Sequence, residues 1–145
     1  MNRLTTRSSA EIGVAHRPAW QMRAMAIVVA IFANVCILIA GRIVNGEFPI
    51  ATVQNDDQTI GFAQVIVVTL LAGLVAWGLL VLLERTTPRA TAIWTTIAVI
   101  VFVLSLLGPV GSGVNASSKV VLALMHVGGA ATIIPLMRQS AALRG

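Results

Sequence analysis

Long apolar stretches alternate with short polar ones along this chain. Four of them, at about residues 22–41, 62–83, 90–107 and 119–137, are nearly free of charge, and each is long enough to cross a bilayer as a helix. A helix rises ~1.5 Å per residue and the hydrocarbon core is ~30 Å thick, so ~20 apolar residues suffice. The pattern predicts an all-α fold, an integral-membrane four-helix bundle running up, down, up and down. Residues 1–19 read as a mobile polar tail, 20–138 as one four-span domain, and 139–145 as a second short tail.

Local signals place the helix ends. Thr87-Pro88 opens the third helix, because threonine caps free N–H groups and proline at the first helical position costs no hydrogen bond. Ser117 or Ser118 is a candidate cap for the fourth. The connector of residues 108–118, rich in glycine and serine, reads as a turn, and Asn115-Ala116-Ser117 within it matches the glycosylation sequon but reads better as a turn asparagine. Pro135 is expected to kink or fray the end of the fourth helix. The basic N-terminus followed by an apolar run resembles a secretion signal, but the run from Met22 to Gly41 is too long for one and reads as a retained span.

Composition agrees with this class. Hydrophobic residues make up 57% of the 145 and charged ones 10%, against about 25% charged in soluble domains. The net charge of +5 does not point to nucleic acid, since the basic residues form no dense run and have no aromatics between them. They orient the chain instead. Arg3, Arg7, Arg17, Arg23, Arg85, Arg89, Arg138 and Arg144 lie on one side of the predicted spans, and only Arg42 and Lys119 on the other. Basic residues near span ends favour the cytoplasm, so both termini are expected there, in a plasma (inner) membrane. Trp20 and Trp94 are then expected at the inner interface with their indole N–H groups wet.

Few polar residues fall inside the spans. Ala26, Ala30 and Asn34 share a stripe of the first helix, Ala72 and Ala76 one of the second, and Gly128 and Thr132 one of the fourth; such small-residue stripes let membrane helices approach closely. His126 lies near the middle of the fourth span on a face of small residues, so it points into the bundle. Two readings of it stay open, a neutral histidine bonded to a neighbouring helix and a site for a proton, ligand or cofactor. Counting from the span ends puts Asn34 and His126 at similar depth in the outer half, together with Thr69 and Ser105. A polar cluster open to the outer face follows, with Lys119 either lining its mouth or snorkelling to the headgroups. At the inner end, an exposed ion pair of Glu84 with Arg89 and Arg138 is expected to add little stability.

Much chemistry is excluded. No Asp or Glu lies inside a span, against a carboxylate-driven antiporter. Cys36 is the one cysteine, so no intrachain disulfide or dithiol pair can form. The histidines number two, and His16 lies in the tail, so a bis-histidine haem would need a second copy of His126. There is no phosphate-binding loop, nucleophile elbow or metal-ligand spacing. No cofactor and no enzymatic activity are expected.

The segment running from Leu71 through Ala72, Gly73, Ala76, Trp77 and Gly78 to Glu84 and Arg85, then Ile93-Trp94-Thr95, Leu107-Gly108-Pro109, Met125-His126 and Ile134-Pro135 resemble a family of small actinobacterial four-helix membrane proteins, domain of unknown function 6069. The resemblance spans about residues 20–138. It implies a four-span membrane domain and transfers no role to any residue. The expected function is therefore that of a non-enzymatic interaction, accessory or envelope protein whose partners are the lipid bilayer and another membrane protein or a second copy. Two rivals stay open: a carrier or ligand-binding protein using the outer-facing pocket, and a haem- or quinone-associated accessory subunit. A polar cavity around His126 and Asn34 that is continuous with the outer face favours the carrier or ligand-binding reading, and close-packed side chains there favour the first.

Overall fold

A computed structural model of the chain describes residues 18–45, 49–52, 55–59, 61–112 and 116–142. The tail bearing His16, together with Glu47, Asn115 and the last three residues, lies outside the described residues. Helix α1 is Ala19–Asn45, α2 Phe62–Thr86, α3 Ala90–Ser105, α4 Leu107–Ser112 and α5 Ala116–Ala142. Between α1 and α2, strands β1 (Pro49–Thr52) and β2 (Asn55–Thr59) pair antiparallel, Pro49 opposite Thr59, with an irregularity between Ile50 and Thr52. Among the described residues, four helices are long and apolar enough to cross a membrane, at Ala19–Val44, Phe62–Thr86, Ala90–Gly111 and Ala116–Ala142. The chain is a four-helix bundle of the kind a membrane protein requires.

The third span differs from the expected turn after residue 107, because α3 and α4 together carry it to Gly111. Pro109 accounts for the break between them. It has no N–H to return to the carbonyl of Ser105, yet it is tolerated in the first turn of α4, where no N–H partner is needed. Leu106 N–H bridges the break by donating to the Val103 carbonyl at 3.2 Å. Ser117 and Ser118 lie inside α5, which starts at Ala116 and runs unbroken through Pro135. At the other hairpin, Thr87 Oγ1 accepts the Arg89 N–H at 3.3 Å, and Arg89 itself stands at the cap of α3.

Helix α1 packs along both α5 and α2, and α3 closes the ring against α2 and α5. The contact face of α1 is one stripe. Arg23, Ala26, Ala30, Asn34 and Leu38 recur every three or four residues and are all buried, whereas Val28, Phe32 and Ile39 on the opposite side are exposed. Small residues set the spacing. A Cβ at Gly73 would lie 2.7 Å from Ile27 Cγ1, and one at Gly128 would lie 2.9 Å from Ile37 Cδ1. On α2 the close contact thus falls on Gly73, while Ala72 is exposed.

Two apolar clusters fill the bundle. At the end nearer the β-hairpin, Leu38, Val65, Val121 and Met125 pack together. Toward the end where α1 begins and α5 finishes, Ala26, Ile27, Leu80, Trp94 and Met137 form the larger cluster. Trp94 corrects the expected interfacial placement: it is 1% exposed, and its indole N–H donates to the Ala76 carbonyl at 2.8 Å. The helix is rotated so that the ring faces α2, and a backbone carbonyl takes the place of water. Trp20 is 55% exposed.

Candidate functional site

Between the two clusters the packing opens into a cavity of about 390 Å³ bounded chiefly by α2, α3 and α5, with Asn34 of α1 on its wall. That volume lies in the range of small-molecule sites, about 300–1,000 Å³. Trp94 and Ala76 lie at one end, and Gln64, Ser105 and Leu122 at the other. Val68 of α2 and Val101 of α3 line it while remaining exposed on the outside of the bundle, so the cleft opens sideways between these helices. Its wall is mostly apolar, with polar side chains at Asn34, Gln64, Thr69, Ser105 and His126.

The structure brings four of the five predicted cluster residues to this cavity. Asn34 Nδ2 donates to Thr69 Oγ1 at 3.0 Å, a buried bond joining α1 to α2. The close approach of α1 to α5 at Gly128 and Gly129 makes room for this amide: a Cβ at Gly129 would sit 3.7 Å from Asn34 Nδ2. Asn34 Oδ1 is buried and has no partner among the described residues. His126 Nδ1 lies 2.8 Å from the Leu122 carbonyl of its own helix. A carbonyl only accepts, so Nδ1 carries the proton, and in the neutral ring Nε2 is an acceptor. His126 is therefore bonded within α5, which corrects the expected bond from a neutral histidine to a neighbouring helix. Ser105 lines the cavity, but its hydroxyl donates to the Phe102 carbonyl at 2.7 Å. Lys119 is exposed near the start of α5, away from the lining.

At the opposite end Glu84 pairs with Arg23, a residue outside the expected charge cluster. The Arg23 side chain is completely buried, its Nε donates to Ser140 Oγ at 3.0 Å, and the Ser140 hydroxyl donates to the Met137 carbonyl at 2.6 Å. The cause is the α1 stripe: Arg23 lies one turn before Ala26 and Ile27 and is carried into the bundle by the same face. Arg89 and Arg138 are exposed, and Arg138 borders a shallow groove beside Thr91 and Thr95. Arg23 was open to detection, since it continues the Ala26, Ala30 and Asn34 stripe by one helical step.

Among the described residues no three His, Cys, Asp or Glu side chains gather to hold a metal. Among the described residues, His126 is the one imidazole that lines the cavity.

No curated protein and no solved structure matches the chain. The model described as a family of unknown function, DUF6069, matches residues 14–143, which include all four spanning helices, and the chain belongs to that family.

Proposed function

We propose that this is a non-enzymatic membrane protein that binds a small, largely apolar molecule between α2, α3 and α5. The observation that carries the reading is the cavity of about 390 Å³ at the level of Asn34, Thr69 and His126. Close-packed side chains there would have favoured a purely packing role for these residues. The sideways cleft between Val68 and Val101 favours entry from the bilayer over entry from the outer solution, which alters the outer-facing pocket expected from the sequence. An apolar ligand already partitioned into lipid reaches such a site without crossing water.

The orientation belongs to the same proposal. Both termini are assigned to the cytoplasm of a plasma membrane, on the strength of the basic residues flanking the spans. Arg23 is withdrawn from that count by its burial, which leaves seven on one side against Arg42 and Lys119 on the other. Arg42 stacks over the Phe62 ring at 4.7 Å, consistent with an interfacial position at the β-hairpin end.

The test is extraction of the intact protein from its membrane in lipid nanodiscs, followed by mass spectrometry of small molecules retained per chain. Wild type should retain a molecule that Ala98→Leu and Ala72→Leu, both directed at the cavity wall, do not. Identical contents in the folded variants would contradict the proposal.

A further inference from the structure

We infer that the cavity selects a neutral molecule with a long apolar body and a single hydroxyl, an alcohol or phenol, over bulk lipid chains and over carbonyl compounds. The inference rests on the ligand-binding reading and assigns its chemical class. It follows from which hydrogen-bonding valences are already used. Thr95, Thr96 and Thr132 all turn their hydroxyls back to carbonyls of their own helices. Thr69 does not: its oxygen accepts from Asn34, and among the described residues its own proton has no acceptor. His126 has committed its Nδ1 proton to Leu122, which leaves Nε2 as an acceptor on a cavity-lining ring. Asn34 adds no second acceptor, because its Oδ1 is enclosed, but its Nδ2 keeps one proton beyond the bond to Thr69, and Gln64, at the Ser105 end of the lining, brings an amide with donors and an acceptor of its own.

At the level of Asn34, Thr69 and His126 the unspent groups are therefore donors, at Thr69 and the second N–H of Asn34, and an acceptor, at His126 Nε2. A hydroxyl complements both kinds, because it donates one hydrogen bond while accepting another. An ester or ketone accepts from Thr69 but leaves His126 Nε2 unmatched. An alkane or acyl chain fills the apolar volume and leaves every polar group unmatched, and sites built to hydrogen-bond a hydroxyl reject analogues lacking it far more strongly than apolar pockets reject size variants. Charge is selected against as well. Neither Arg nor Lys lines the cavity to balance a carboxylate, and neither Asp nor Glu lines it to balance an ammonium, so a buried ion there would lose its hydration without compensation.

Trp94, at one end of the cavity, supplies the reporter. In the full chain carrying Trp20→Phe and Trp77→Phe, reconstituted in nanodiscs, brominated dodecanol should quench Trp94 saturably, and the methyl ether of the same bromoalcohol should bind about tenfold more weakly, as expected for one or two hydrogen bonds. Thr69→Val and His126→Leu, each checked for native helicity, should bring alcohol and ether to within about twofold of one another, as expected once a hydrogen bond is removed. Equal affinity of alcohol and ether in the unsubstituted site, or preference for the corresponding aldehyde, would overturn the hydroxyl inference and leave a ligand site standing. Absence of saturable quenching by any of the three compounds would overturn both.

Discussion

Arg23 and Glu84 form an ion pair in which the arginine side chain is wholly buried and the carboxylate 15% exposed. Such pairs stabilise less than their geometry suggests, because both ions lose hydration, but removal of one partner strands the other. Glu84→Gln should therefore destabilise the folded bundle by about 3 kcal/mol. Arg23→Met combined with Glu84→Leu should cost less than the sum of the single changes. Unfolding in mixed micelles measures both, and Arg138→Ala, at an exposed arginine, should leave the midpoint almost unmoved.

Gly73 and Gly78 lie on one helix in opposite circumstances. A Cβ at Gly73 meets Ile27 at 2.7 Å and two further Ile27 carbons at 3.2 Å, while one at Gly78 meets nothing within 4 Å. Ile27 is β-branched, stiff at χ1 and buried, so it cannot swing clear. Gly73→Ala should destabilise by about 1–3 kcal/mol, the range for overpacking, and Ile27→Ala should relieve much of that in the double variant. Gly78→Ala should be neutral or stabilising. The same unfolding assay separates them.

Three tryptophans report different surroundings. Trp94, bonded to the Ala76 carbonyl and buried, should emit at short wavelength when it is the last tryptophan left, and Trp20 at longer wavelength. Trp94→Phe removes the indole donor and should cost about 1 kcal/mol for the hydrogen bond, with a further loss from reduced packing.

The bond between Asn34 and Thr69 joins α1 to α2 inside the membrane. Double-mutant cycles with Asn34→Leu and Thr69→Val should give a coupling of about 0.6 kcal/mol, typical of interhelical hydrogen bonds in membrane proteins. A coupling near zero would show that the amide is held by packing against α5 alone.

The four spans could be read from the sequence because length and apolarity suffice for that. The common depth of Asn34, Thr69 and His126 could also be read, by counting from span ends with alternating direction. Rotation about the helix axis was harder. Trp94 looked interfacial by depth, yet its face turns inward, and Arg23 looked like one orienting charge among several although its stripe enters the bundle. The bond from His126 back to Leu122 depends on a side-chain torsion that no spacing specifies. The paired strands Pro49–Thr52 and Asn55–Thr59 are short and carry no alternating pattern of their own. The cavity lies where α2, α3 and α5 leave space between them, an arrangement set by many contacts together.

Ligand-linked stability tests the central claim most directly. The unfolding free energy of the full chain in nanodiscs would be followed while brominated dodecanol is titrated into wild type and Ala98→Leu. A ligand bound by the folded state alone, at a hundredfold excess over its Kd, raises stability by about 2.7 kcal/mol. Wild type should show a rise of that size and saturating form, and Ala98→Leu should show little. Equal shifts in both proteins, or none in either, would contradict a binding site between α2, α3 and α5.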